Sequence, residues 1–245
     1  LPLQDGFDNA GLQIGLTEVE ATGALLCLDV TEAVLDEAIA LGHNLVISHH
    51  PLIFKGYKSI TGKDYVERCI LKAIKNDIVI YSAHTNLDNA YGGVNYKIAE
   101  KIGLKNLQVL EPKENSLQDD LMQAGAGIVG ELDEPETELE FLKRIKKTFE
   151  VGCVRHNRLT GREIQKVALC GGAGAFLLPQ AIRAGADVFI TGEIKYHDYF
   201  GHEGDILMAE IGHYESEQYT KEIFYSIIRD LFPNFALQSS KINTN

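Results

Sequence analysis

The chain has 245 residues, 45% hydrophobic and 24% charged, with 23 Lys and Arg against 35 Asp and Glu for a formal net charge of −12. This composition excludes an intrinsically disordered chain, and the length suits one large α/β domain or two small ones whose core needs no disulfide or structural metal. No apolar run approaches the roughly 18 residues that cross a bilayer, and the acidic balance argues against nonspecific nucleic-acid binding, which needs Lys and Arg to displace phosphate counterions.

Apolar runs rich in Val, Ile and Leu alternate with helix-period segments, the pattern of βαβ units around a buried parallel sheet. In chain order the pattern predicts a strand at 24–30, a helix at 31–41, a strand at 44–48, a helix at 63–75, a strand at 78–83 and a helix at 94–102. The second half predicts a helix at 136–148, then strands at 166–170, 187–191 and 206–210 with helices at 177–184 and 216–231. Thr31 is the expected N-cap of the first helix, and Gly42 and Gly185 are the expected stops of theirs. The basic run Lys143, Arg144, Lys146, Lys147 reads as the solvated face of a helix. Residues 105–136 are polar and Gly-rich, with Pro112 and Pro135. The expected division is therefore an N-terminal α/β lobe at 1–112, a linker or insertion point at 113–135, and a C-terminal α/β lobe at 136–245.

Cys27, Cys69, Cys153 and Cys170 show no CxxC spacing, and two of them fall in predicted buried strands. All four read as thiols of a reducing compartment. With no signal-peptide pattern in a sequence that starts at Leu1, the expected location is the cytoplasm.

The sequence also repeats itself. Displaced by 143 positions, residues 24–50 lie on 167–193 without a gap, matching Leu26, Cys27, Leu35 and Ala38 to Leu169, Cys170, Leu178 and Ala181. Any two strand–helix–strand units share some periodicity. The reading preferred here is two related α/β lobes with mostly parallel sheets, packed across a pseudo-twofold with a ligand cleft between them.

Three predicted strand ends carry metal-ligand residue types. His49-His50 stands before Pro51. Strand alternation would point the two side chains to opposite faces, but Pro51 ends the strand and lets both turn toward one pocket beyond its carboxyl end. One packed and one exposed histidine is the alternative. His84 and Asp88 follow the next strand, where Asp88 could instead be a capping carboxylate. His213 and Glu217 follow the last strand at helical i, i+4 spacing, which suits a metal as well as an acidic first turn. Together these imidazoles and carboxylates, without thiolate, suit two divalent ions of the Zn, Mn, Fe or Co kind with one carboxylate bridging them. Such a pair lowers the pKa of a shared water and clamps a hydrolytic transition state.

Gly171-Gly172-Ala173-Gly174 lacks the third glycine of a dinucleotide loop, since Leu177 stands there. It reads as a tight strand-to-helix turn, with anion binding at the helix N-terminus left open. Glu193, which takes the place of His50 in the repeat, and nearby His197 are the candidates for proton transfer or for orienting a ligand; a solvated helix start is the alternative.

Read together, several strings resemble the Nif-three-like proteins, the GTP cyclohydrolase I type 2 homologues. They are Asp8-Asn9-Ala10-Gly11-Leu12, Leu28-Asp29-Val30-Thr31, Ser48-His49-His50-Pro51-Leu52, Ser82-Ala83-His84-Thr85-Asn86-Leu87-Asp88 and Gly92-Gly93-Val94-Asn95. The second half adds Gly171-Gly172-Ala173-Gly174, Thr191-Gly192-Glu193, and Gly212-His213 with Glu217. The resemblance implies a two-lobed α/β fold, a dinuclear centre in the cleft and a six-subunit ring. It implies that His49 and Asp88 hold one metal, His50 and His213 the other, and that Glu217 bridges both, leaving His84 beside the ligands. It further implies a hydrolase for GTP or a related nucleotide, in which water attacks purine C8 and Glu193 or His197 carries protons. A phosphoester or another small cyclic amide is the alternative substrate, and a metal-binding scaffold without turnover the alternative class. Two features depart from the family pattern: only seven residues precede Asp8, and only a short stretch at 118–127 stands where many members carry a small extra domain.

Overall fold

The computed structural model describes residues 2–113, 124–202 and 204–245. It divides into two units, Leu1–Leu87 with Thr220–Asn245, and Asp88–Tyr219, each built on its own sheet.

The first unit opens with β1 (Gly11–Ile14), β2 (Ala24–Cys27), α1 (Glu32–Leu41), β3 (Leu45–Ser48), α2 (Tyr65–Lys75) and β4 (Val79–Ser82). Every residue of β2 is buried, as expected of a strand covered on both faces. Thr31 caps α1 through its side chain, and Gly42, in the left-handed conformation at φ 69°, ends it. Val34, Leu35 and Ala38 of α1 and Val66, Ile70 and Ala73 of α2 recur at helical spacing and pack with Leu25, Val46 and Ile80 of the sheet. A short helix, α3 (Thr85–Asp88), leads out of β4.

The second unit follows with α4 (Val94–Ile102), β5 (Lys105–Pro112), β6 (Gly125–Thr137), α5 (Glu138–Thr148), β7 (Arg155–His156), β8 (Glu163–Cys170), α6 (Leu178–Arg183), β9 (Val188–Thr191), β10 (Leu207–Glu210) and α7 (His213–Glu217). The chain then returns to the first unit through α8 (Thr220–Leu231) and β11 (Leu237–Ser239). The single helix expected at 216–231 is thus two helices, α7 and α8.

The first sheet has the order β1-β4-β3-β2-β11 and the second β5-β6-β8-β9-β10-β7. In the first, only β1 runs antiparallel to its neighbour. The second is mixed: β8, β9 and β10 form a parallel trio flanked by antiparallel β6 and β7. The repeat is visible in the ladders themselves. Ala24 pairs Leu45 and Cys27 pairs Ser48; Val167 pairs Val188 and Cys170 pairs Thr191. The displacement that aligns the sequences therefore carries one ladder onto the other.

The expected linker at 113–135 requires correction. β6 pairs with both β5 and β8, so residues 125–135 lie inside a sheet, residues 114–123 lie outside the described residues, and the units divide at 87/88 and 219/220 instead. Its glycines serve close strand contact: a Cβ on Gly130 would stand 2.9 Å from the Lys105 carbonyl oxygen and 2.7 Å from Leu107. Of the short stretch at 118–127, residues 118–123 lie outside the described residues. Among the described residues, no helix is long and apolar enough to cross a membrane.

Candidate metal centre

In the first unit three imidazoles meet at the carboxyl ends of β3 and β4. His49, His50 and His84 can each offer one ring nitrogen with all three within 4.8 Å of one another, and their ring centroids lie 4.9–5.4 Å apart. The chain leaves regular pairing at this point. Ser48 Oγ meets Ser82 Oγ of the neighbouring strand at 2.7 Å and donates to the His50 carbonyl at 2.8 Å. The His50 N–H donates back to the Leu28 carbonyl at 3.0 Å. This hydroxyl bridge and Pro51 fold the strand end so that consecutive histidines share one cluster, against strict strand alternation.

Each ring is held through Nδ1. His49 Nδ1 donates to the Ala83 carbonyl at 2.9 Å. His50 Nδ1 meets Asp29 Oδ1 at 2.7 Å, and Asp29 Oδ2 accepts from Thr244 Oγ1 at 2.5 Å. His84 Nδ1 meets Asp8 Oδ1 at 2.7 Å, while Asp8 Oδ2 accepts from the Thr85 N–H and hydroxyl at 3.1 and 2.6 Å. A proton committed to Nδ1 makes Nε2 the lone-pair nitrogen of a neutral imidazole, the arrangement of metal-binding histidines. Burial pushes the His84 pKa below its ordinary value although the Asp8 carboxylate pulls the other way. Burial raises the Asp8 carboxyl, but the His84 and Thr85 bonds outweigh it and hold it low. Both groups therefore favour a neutral ring beside an ionised carboxylate.

In the second unit, α7 places His213 and Glu217 one turn apart, with His213 Nε2 3.3 Å from Glu217 Oε2. His213 Nδ1 meets Glu193 Oε1 at 2.6 Å, repeating the imidazole–carboxylate pairing of the first unit. Glu217 is buried and Glu193 exposed. The glycine loop lies against this pair. A Cβ on Gly172, at φ +60°, would stand 2.4 Å from Glu217 Oε1 and 3.2 Å from His213 Nε2. Three of its N–H groups are used internally: Gly171 donates to Asn95 Oδ1, Gly172 to Ser216 Oγ and Gly174 to Thr191 Oγ1, at 2.9–3.0 Å. The loop is thus a tight turn that lets backbone approach the donors, rather than a cradle for phosphate. Asp88 closes α3; its main-chain carbonyl accepts from Asn95 Nδ2 at 3.0 Å, so buried Asn95 ties the Asp88 turn to Gly171.

The structure thus brings together His49, His50 and His84 in one unit and His213, Glu217 and Glu193 in the other. His197 is exposed on the turn Tyr196–Tyr199, its ring 5.1 Å from Tyr196 and 5.8 Å from Phe200; the carboxylate that meets His213 is Glu193. The holding roles of Asp8, Asp29, Ser48 and Asn95 were not read from spacing, although all four stand in the quoted family strings. The advance signal was their place in those strings, because each also reaches a partner distant in sequence: Asp8 to His84 across 76 positions, Asp29 to His50 across 21, Ser48 to Ser82 across 34 and Asn95 to Gly171 across 76.

The Duf34/NIF3 (NGG1p interacting factor 3) family model matches residues 1–245. The chain is 38% identical over 218 residues to a GTP cyclohydrolase 1 type 2 homolog of Clostridium perfringens, covering 88% of this chain and 80% of the relative. It is 35% identical to the corresponding homolog of Lactococcus lactis, with 93% and 84% covered. Among solved structures, a Staphylococcus aureus hypothetical protein superposes with a TM-score of 0.89 at 34% identity, with 98% and 91% covered. A Bacillus cereus protein related to NIF3 gives a TM-score of 0.87 at 27% identity, with 99% and 93% covered. Whole-length similarity of sequence and of fold leads to one conclusion: the chain belongs to the Duf34/NIF3 family.

Proposed function

We propose that the protein binds two divalent transition-metal ions and works with them as a cytoplasmic hydrolase, assembled as a six-subunit ring, on a small substrate of the nucleotide class such as GTP. On the family pattern, His49 and Asp88 would hold one ion, His50 and His213 the other, and Glu217 both. The observation that supports this most is the shared state of the imidazoles. His49, His50 and His213 each commit Nδ1 to a carbonyl or carboxylate, which directs the Nε2 lone pair outward as a ligand atom. A donor set of imidazole and carboxylate without thiolate fits Zn, Mn, Fe or Co.

When bound, a pair of such ions supplies a Lewis acid and an acidified water. The protein's own share is positional. The Ala83 carbonyl and the Asp29 carboxylate keep His49 and His50 in register, and Gly172 leaves room for the Glu217 carboxylate. Glu193, exposed and joined to His213, is the proposed proton acceptor, with His197 as the alternative group for the same transfer.

The first test is metal stoichiometry by plasma mass spectrometry on untagged protein purified without chelator, followed by a formate assay with GTP on metal-loaded protein. About two ions per chain with formate released from GTP is the expected result. Protein that stays metal-free after addition of Zn, Mn, Fe and Co overturns the metal reading. Metal-loaded protein that gives neither formate nor a ring-opened product overturns the cyclohydrolase reading.

A further inference from the structure

An exposed aromatic side chain, Phe54, stands beside the His84 imidazole of the first unit, with a second, Phe7, beside it, and a phenyl ring has no part in the donor chemistry. Phe54 is 45% and Phe7 68% exposed, with ring centroids 6.5 Å apart. The Phe54 ring lies 6.3 Å from that of His84, nearly perpendicular to it at 81°. Single exposed hydrophobic residues are ordinary, but this pair is built into its position. Leu52 is buried and Ile53 packs against the core, so the chain is anchored up to the residue before Phe54. Asn9 Nδ2 donates to the Ile53 carbonyl at 2.5 Å, and the Ile53 N–H donates to Gln13 Oε1 at 3.2 Å. Gln13 Nε2 donates in turn to the Asn9 carbonyl at 2.6 Å. The segment that orients His84 through Asp8 therefore also fixes Phe54 and carries Phe7.

A phenyl ring offers no donor atom to a metal. What it adds beside His84 is a flat apolar face carried on an anchored main chain, so no main-chain ordering is lost on stacking. We infer that Phe54, backed by Phe7, is the stacking platform for the planar base of the proposed nucleotide substrate. This rests on the proposed nucleotide hydrolase and names the group that would recognise the base. A phosphoester without a ring would gain nothing from such a surface.

The chain contains no tryptophan, so Phe54→Trp introduces a single reporter at the site. Metal-loaded Phe54→Trp protein would be titrated with GTP and, separately, with ribose 5-phosphate while tryptophan emission is followed; GTP binding to wild type and Phe54→Ala would be measured by equilibrium dialysis. The expected result is saturable quenching by GTP but not by ribose 5-phosphate, and roughly tenfold or greater weakening of GTP binding in Phe54→Ala. Wild-type affinity in Phe54→Ala, or emission that GTP leaves unchanged, overturns the inference. Metal content by plasma mass spectrometry and formate release are read on the same samples. Quenching and weakened binding without formate release would uphold the platform and count against hydrolysis alone.

Discussion

Gly172→Ala is the sharpest perturbation of the proposed centre. A Cβ built there stands 2.4 Å from Glu217 Oε1, where real Cβ contacts are no closer than 3.0 Å, so the carboxylate must retreat by at least about 0.6 Å. Metal–ligand distances are held to within about 0.2 Å, and the forced shift is roughly three times that. The retreating atom is the end of a flexible side chain, so folding suffers little from the contact. The folding cost comes from placing alanine at φ +60°, about 1–2 kcal/mol. At about 2–4 °C per kcal/mol for a chain of this size, melting would fall by a few degrees. Gly103→Ala separates the two effects, because Gly103 has φ +82° with open space around its would-be Cβ. Both variants should melt at similar temperatures, and only Gly172→Ala should lose metal affinity, by about 10–100-fold in chelator competition. The reasoning fails if Gly172→Ala binds metal as tightly as wild type, or if Gly103→Ala loses as much.

Asp29→Ala removes the acceptor that fixes His50 Nδ1 and should weaken metal binding by about 10–100-fold in the same competition assay; unchanged affinity would show that the pairing does not orient a ligand. The Glu67 carboxyl, bonded above all by the Thr61 N–H and also by the Lys63 N–H and ammonium, is held down at about 2. Its folded pKa lies below the unfolded one, so its stabilising contribution is complete above about pH 4.5 and disappears as pH falls toward 2. Glu67→Gln should accordingly melt lower than wild type at neutral pH, with the gap closing on acidification; a gap that persists at pH 2 would assign the effect to packing. Thr137 and Glu140 form a capping box at the start of α5, and Thr137→Ala should cost about 1 kcal/mol, read as a melting temperature lower by about 2–4 °C.

Much of the parallel framework was legible in the sequence. All six predicted strands are found, because a strand buried on both faces must be a continuous apolar run whichever strands it pairs with. Thr31, Gly42 and Gly185 mark helix ends through local backbone chemistry alone, which needs no tertiary partner. The i, i+4 relation of His213 and Glu217 was legible for the same reason. The antiparallel strands were not. β5 and β6 read as a polar, Gly-rich linker, since the close approach of Gly130 to the Lys105 carbonyl is invisible until the two strands are paired. The parallel edge strand β11 also escaped notice, because its three residues gain their place from pairing with β2, more than two hundred positions earlier in the chain.

For the site, residue types and their local spacing were enough to nominate His49, His50, Asp88, His213 and Glu217. The tertiary structure alone decided what holds the imidazoles: Asp8 reaches His84 across 76 positions and Asp29 reaches His50 across 21. A strand end or a helical turn is dictated by neighbours along the chain. The tautomer and aim of a ring are dictated by groups that become neighbours only when the sheet closes.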